Sequence, residues 1–237
     1  MPEITLIGFD ADDTLWQNET FFQLTQARFA GLLADHAEAD HLQERLLAAE
    51  RRNLGHYGFG VKAFTLSMIE TAIEVTGGQV PARVISELIA AGREMLAHPI
   101  DLLPGARMTV ETLAHTHHIV LITKGDLLDQ ERKLAQSGLG DLFHGVEIVS
   151  QKTPQSYRAI FARHRADPGA ALMVGNSLRS DVLPVIELGG WGVHIPHSMT
   201  WALEHADEPL NHPRFRSLPD ISLLPDLVES CSLNHNP

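Results

Sequence analysis

The sequence predicts an α/β fold: a Rossmann-like, doubly wound parallel sheet carrying an inserted all-helical cap domain. Three observations lead there. Short apolar runs recur along the chain, stretches with helical spacing separate most of them, and one long helical segment follows the first run almost directly. Strands that alternate with helices imply a parallel sheet covered on both faces.

The first run, Ile4 to Phe9, reads as a strand buried on both faces, and it stops at the polar loop Asp10-Ala11-Asp12-Asp13-Thr14. Four further runs resemble it: His118 to Thr123, Gly145 to Ser150, Ala170 to Gly175 and Gly192 to Ile195. Leu127 to Ser137 and Tyr157 to His164 have the spacing of the helices between them. Between the first and second runs lie about 80 residues, too many for a simple connection. Their apolar residues recur every three or four positions. Phe21, Phe22, Leu24, Phe29 and Leu32 mark one helix, and Phe64, Leu66, Ile69, Ile73 and Val75 mark another that Gly77-Gly78 stops. Val84, Ile85, Leu88, Ile89 and Leu96 continue the pattern. The expected division is therefore a helical cap over residues 17–98 and a catalytic core made of 1–16 and 99–237. Within the cap, Gly55 to Gly60 has the composition of a loop. The tail beyond about His212, with Pro213, Pro219 and Pro225, reads as short elements wrapping the core and a frayed end after Ser230.

Composition narrows the partners. Eighteen Lys and Arg against 30 Asp and Glu leave a net charge of −12, so the average field repels nucleic acid and anionic lipid alike. No run approaches the ~18 apolar residues that a membrane span needs, and no basic segment precedes a long apolar run at the start. Cys231 is the single cysteine and can form no internal disulfide, which fits a reducing compartment. The expectation is a cytoplasmic protein acting on a small molecule, with neither nucleic acid nor membrane as partner. The sequence carries no signal for oligomeric state.

Ligand sites in open parallel sheets lie beyond the carboxyl ends of the strands. The polar residues there are unusual in kind. The first run ends in Asp10 and Asp12, the second in Thr123-Lys124-Gly125, the third leads to Lys152, and the fourth ends in Gly175-Asn176-Ser177 with Asp181 following. Residues two apart in extended backbone share a side, so Asp10 and Asp12 are expected to project together into the crevice. Two carboxylates that close repel, so one can stay ionised while the other holds a proton, as a nucleophile and a general acid require. Oxygen ligands such as Asp10, Asp181 and backbone carbonyls suit magnesium. Lys152 and Thr123 can hold phosphoryl oxygens by charge and hydrogen bond. Each feature also has a plainer reading: acids cap helices, Thr123 ends a strand, Lys152 is a solvated charge. Their ordered company favours chemistry. The cluster His115, His117, His118 falls where a helix should end, and reads as helix-terminal histidines rather than a metal tract.

The pattern resembles the haloacid dehalogenase superfamily, and the resemblance spans essentially the whole chain. Phe9-Asp10-Ala11-Asp12-Asp13-Thr14-Leu15 is similar to its first motif, Leu121-Ile122-Thr123 to its second, Lys152 followed by Pro154 to its third, and Gly175-Asn176-Ser177-Leu178-Arg179-Ser180-Asp181 to its fourth. The resemblance implies a nucleophile at Asp10, a general acid and base at Asp12, and Thr123 and Lys152 as further catalytic residues. It implies Mg2+ held by Asp10, the backbone carbonyl of Asp12, Asn176 and Asp181. The insert is similar in position to the family's first-type (C1) cap, which chooses the substrate. Trp16, Lys124, Gly125, Tyr57 and Lys62 are the residues we single out as substrate contacts, with a core role the equal alternative for Trp16. The dehalogenase branch of that family does not keep an acid at the position of Asp12, since departing halide needs no proton. The resemblance thus implies a phosphatase acting on a small phosphorylated metabolite through a phosphoaspartate. A phosphomutase, a 2-haloacid dehalogenase and a non-catalytic binding protein on the same fold stay open. One departure stands out: Asn176 occupies a place where the fourth motif usually has an acid, which removes one negative charge from the metal loop.

Overall fold

A computed structural model describes residues 3–233, with side chains described as far as Cys231. The chain divides into two compact units, one of Met1–Gln17, Ile100–Lys124 and Gln130–Pro237, the other of Asn18–Pro99 with Gly125–Asp129.

The first unit is built on six strands, β1 (Leu6–Phe9), β2 (His118–Lys124), β3 (Gly145–Val149), β4 (Ala171–Gly175), β5 (Trp191–His194) and β6 (Phe215–Ser217). They form one sheet in the order β3-β2-β1-β4-β5-β6, and every pairing is parallel. β1 is central, and the chain leaves it first toward one edge and later toward the other. That reversal is the doubly wound topology read from the sequence, and it opens a crevice at the carboxyl ends of β1, β2 and β4.

Strand alternation divides the core cleanly. Ile7, Phe9, Ile119, Leu121, Leu172 and Val174 pack on one face against Val110 and Leu113 of a helix at Ala106–Ala114 and Leu224 and Val228 of one at Leu224–Leu233. Leu6, Val120, Ile122, Ala171 and Met173 pack on the other, against Tyr157, Ile160 and Phe161 of a helix at Pro154–Arg163 and Val185 of one at Leu183–Glu187. Apolar residues at successive positions are what a strand buried on both faces requires. Gly8 permits the close approach on the second face, since a Cβ there would come within 2.8 Å of Ile122 Cδ1 and 2.9 Å of Met173 Sδ.

The second unit holds four helices, α1 (Glu19–Leu32), α2 (Ala39–Tyr57), α3 (Val61–Val75) and α4 (Ala82–Ala97). Continuing in chain order, the remaining α-helices are α5 (Ala106–Ala114), α6 (Leu127–Ser137), α7 (Pro154–Arg163), α8 (Leu183–Glu187) and α9 (Leu224–Leu233). The helical unit has its own core of Phe29, Leu33, Leu42, Leu46, Phe64, Met68 and Leu88. Among the described residues no helix is long and apolar enough to cross a membrane.

Several local expectations need correction. Gly55 to Tyr57 form no loop: they are the last turn of α2, and the chain breaks only at Gly58 and Gly60, whose φ values of 73° and 105° favour glycine. The strand β6 lies in the tail that the sequence presents as short wrapping elements, and its three residues are too few for a visible alternation. The end does not fray after Ser230. Helix α9 runs on to Leu233, because Cys231 is only 7% exposed and joins the core. Residues 234–237 lie outside the described residues.

Candidate active site

Backbone geometry at the end of β1 sets the site. Asp10 N donates to Val174 O at 2.9 Å, extending the pairing with β4 one residue beyond the strand. The chain then folds back: Thr14 N and Leu15 N both donate to Ala11 O, at 3.2 and 2.8 Å, and Asp13 takes a left-handed φ of 59°. Once the backbone turns, the two-residue alternation of a strand no longer applies. Asp10 and Asp12 take their hydrogen bonds from different side chains.

The partner of Asp10 is Asp181. Lys152 Nζ donates to Asp10 Oδ1 at 2.5 Å and to Asp181 Oδ1 at 2.6 Å, and its side chain is 1% exposed. Thr14 Oγ1 donates to Asp10 Oδ2 at 2.8 Å and lies 3.4 Å from Asn176 Oδ1, while Asn176 N donates to the same hydroxyl at 3.1 Å. Residues from three strand ends thus converge, and each is fixed locally. Lys152 precedes Thr153, which caps α7 through a reciprocal capping box with Ser156, with Pro154 at the first helical position. Asp181 sits in a single π-helical turn, Leu178–Val182, where Ser177 N donates to its Oδ2 at 3.0 Å. Gly175 makes room for it: a Cβ there would collide with the Asp181 carboxyl group. His194 Nε2 meets the Asn176 carbonyl oxygen at 3.1 Å and ties the loop after β4 to β5.

The electrostatics follow from one ammonium serving two buried carboxylates. Burial would lower the Lys152 ammonium, but Asp10 and Asp181 hold it above the ordinary lysine range. Burial and the neighbouring Asp10 push Asp181 up to about 7, against the pull of Lys152 and the Ser177 amide. Asp12 belongs to a different network. Lys133 Nζ reaches its two oxygens at 2.9 and 3.1 Å, Gln130 Nε2 reaches Oδ2 at 2.8 Å and Trp16 Nε1 reaches Oδ1 at 2.7 Å. Burial opposes its charge, yet Lys133 and these donors hold the carboxyl below the usual aspartate range.

The remaining named residues have definite places. Thr123 is 1% exposed at the end of β2. Lys124 donates to Ser180 Oγ at 2.8 Å and pairs with Glu204 Oε1 at 2.5 Å, so its ammonium is engaged inside the fold. Glu204 is bound also by Ser177 Oγ and Ser180 Oγ. Trp16 is fully buried and packs in the core, the alternative left open for it, while its indole nitrogen holds Asp12. In the helical unit, Tyr57 donates its hydroxyl to Glu70 at 2.8 Å, Lys62 lies 3.3 Å from Asp126, and Gly125 takes a φ of 126°. His118 begins β2 and meets His164 Nδ1 at 3.0 Å.

Sequence reasoning missed Gln130, Lys133 and Glu204. A signal existed for the first two, because they stand three apart and so share a face of α6 while being 3% and 7% exposed. Polar residues on a helix's buried stripe imply a buried partner. Glu204 lies in a short turn after β5 with no periodic context, and carried no such signal.

The donors suit magnesium. Asp10 Oδ2 and Asn176 Oδ1 flank one hydroxyl, Asp181 is joined to Asp10 through Lys152, and all the candidate ligands are oxygens. Among the described residues no group of three or more His, Cys, Asp or Glu forms a metal cluster. Two carboxylates supplemented by an amide, a carbonyl and water are the sparse protein ligation that magnesium takes.

Comparison with known proteins agrees with this architecture. Residues 4–189 match the model of the haloacid dehalogenase-like hydrolases. A haloacid dehalogenase-like hydrolase from Xanthomonas campestris is 42% identical, with a TM-score of 0.88 over 98% of this chain and 93% of that one. YfnB of Bacillus subtilis, a HAD hydrolase bound to magnesium, is 15% identical, with a TM-score of 0.66 over 96% of this chain and 99% of that one. L-2-haloacid dehalogenase of Xanthobacter autotrophicus, carrying covalently bound chloropropionic acid, is 18% identical, with a TM-score of 0.67 over 95% of this chain and 98% of that one. The last two share the fold. No curated protein matches the chain.

Proposed function

This chain belongs to the haloacid dehalogenase-like hydrolase family, and from that premise we propose that it is a magnesium-dependent phosphatase of small phosphomonoesters. The observation that carries the reading is the acid at position 12, on the loop that also bears Asp10. Halide leaves without a proton, whereas an alkoxide must receive one, so an acid beside the nucleophile serves phosphate esters and is idle in dehalogenation.

In this reading Asp10 attacks phosphorus in line with the leaving oxygen and becomes a phosphoaspartate. Thr14 and Lys152 orient the carboxylate by bonding its two oxygens. Asp12 gives its proton to the departing alkoxide, then accepts one from the water that opens the acyl phosphate and releases inorganic phosphate. Thr123 and Lys152 steady the phosphoryl oxygens as their charge spreads. Asp10, the Asp12 carbonyl, Asn176 and Asp181 would hold Mg2+, whose contribution is neutralisation of phosphoryl charge. The substrate is a small phosphorylated metabolite and the compartment the cytoplasm; the net charge of −12 argues against nucleic acid or an anionic membrane as partner.

The test is an assay of phosphorylated metabolites and p-nitrophenyl phosphate with and without magnesium, beside 2-chloropropionate. Hydrolysis of phosphate esters that requires magnesium and falls by roughly 10³-fold or more in Asp10→Asn is expected. Chloride release from 2-chloropropionate without phosphate release would overturn the reading.

A further inference from the structure

We propose that Lys133 and Gln130 are positioning residues that hold Asp12 for proton transfer to the leaving group. This rests on the phosphatase reading and adds two side chains from α6 to it.

The case begins with a buried ammonium. Lys133 is 7% exposed, and taking an ammonium out of water is unfavourable unless a charge meets it. Asp12 meets it with both oxygens, at 2.9 and 3.1 Å. An apolar residue would satisfy this stripe of α6 more simply, so the lysine is there for the carboxylate. The Asp12 side chain keeps 23% exposure while its partners are covered. The donors take both oxygens and still leave part of the side chain exposed.

Gln130 supplies an independent argument. Its amide nitrogen donates to Asp12 Oδ2 at 2.8 Å and to the Lys124 carbonyl at 3.0 Å. Its amide oxygen is buried with no hydrogen-bond partner among the described residues. Flipping the amide would aim that oxygen at two acceptors, so the observed orientation is enforced by Asp12 and by the end of β2 together. A buried acceptor left unpaired is a cost that pure packing would not select. The amide fixes the distance between the acid and the strand end that carries Thr123.

Trp16 completes the arrangement, its Nε1 reaching Asp12 Oδ1 at 2.7 Å from within the same loop. Asp12 follows β1 on a turn, where its side chain could take several rotamers. Donors on both oxygens, from the loop and from α6, select one. General acid catalysis needs the donor within about 2.6–3.2 Å of the atom it protonates, so a fixed rotamer affects rate and not only stability; the Lys133 ammonium favours the ionised carboxyl, so what it contributes is placement and not retention of the proton.

The experiment uses leaving groups that differ in their need for a proton. p-Nitrophenolate departs without help, whereas the alkoxide of β-glycerophosphate does not. Since kcat/KM ends with transfer to Asp10, it reports this step alone. Lys133→Met should lower kcat/KM for β-glycerophosphate by roughly 10²-fold and for p-nitrophenyl phosphate by less than about threefold, and Gln130→Leu should act in the same sense by roughly tenfold. Asp12→Asn should give the same selectivity, and adding Lys133→Met to it should cause no further loss. Equal falls on both substrates, or a further loss in the double variant, overturn the proposal and leave the phosphatase reading intact. Should Lys133→Met alone not fold, the double variant removes both charges and is compared with Asp12→Asn. A wild-type protein that cleaves neither substrate, with or without magnesium, overturns the phosphatase reading and this proposal with it.

Discussion

At the scale of single residues, two positions in the fourth strand-end loop decide how the site handles charge. Asn176 bonds through its backbone to Thr14 and His194, which leaves its amide oxygen near the Thr14 hydroxyl, a neutral oxygen where the proposed function needs a magnesium ligand. An aspartate at that place restores a full charge without changing side-chain length. Asn176→Asp should lower the magnesium concentration for half-maximal activity by roughly tenfold, because ligand charge tunes affinity for hard cations. Superimposable magnesium titrations of the two proteins would refute this. Gly175 acts through space. Its missing side chain is what lets Asp181 sit against β4, and the atoms in the way of a Cβ include Asp181 Cβ as well as its carboxyl group. Rotation of the aspartate cannot relieve that collision. Gly175→Ala should cost about 1–3 kcal/mol in stability, and displacement of Asp181 by an ångström should lower kcat/KM by roughly 10²-fold. Calorimetry and steady-state kinetics on the one variant check both figures.

At the scale of elements, the placement of Lys152 depends on a helix start. Thr153 Oγ1 accepts from Ser156 N at 3.2 Å, and Ser156 Oγ accepts from Thr153 N at 2.8 Å, so the first turn of α7 is closed one residue after Lys152. Thr153→Ala should remove about 1 kcal/mol, a fall of roughly 2–4 °C in the melting temperature for a chain of this length. A larger relative drop in kcat/KM is expected, since the loosened turn frees the Lys152 backbone; an unchanged rate beside a lowered melting temperature would separate the cap from the chemistry. The elements themselves were largely legible in the sequence. β1 and β4 are apolar or glycine at every position, β2 is apolar from Ile119 to Ile122, and α6 has the bounds its spacing implied, because burial on both faces and helical periodicity leave direct marks. β6 and the last turn of α2 were not legible, the first being too short for a pattern and the second ending in a glycine that looked like a loop. The site divided along similar lines. Strand ends delivered Asp10, Lys152 and Asp181 to one place, as sheet topology requires. The partners of Asp12 could not be read from the strand pattern, since Gln130 and Lys133 reach it from α6, more than a hundred residues along the chain.

At the scale of the whole molecule, the insert is a candidate for independent folding. Its helices α1 to α4 close a core of Phe29, Leu33, Leu42, Leu46, Phe64, Met68 and Leu88, all at most 3% exposed. Packing within that core is close enough to be specific: a Cβ on Gly92 of α4 would collide with the Thr65 hydroxyl of α3. Surface pairs add little, since Arg28 with Glu87 and Glu94 or Arg45 with Glu74 are solvated contacts worth under about 1 kcal/mol each. Stability must therefore reside in the apolar core, and a segment that owns its core can fold without the rest of the chain. Residues 18–99 expressed alone should give a helical far-ultraviolet spectrum and a cooperative thermal transition. Gly92→Leu in that fragment should lower the transition by overpacking, at a cost of about 1–3 kcal/mol or more. A fragment with no cooperative transition would mean that the helices depend on the remainder of the chain for their packing, and the boundary between the units would then be one of contacts without energetic independence.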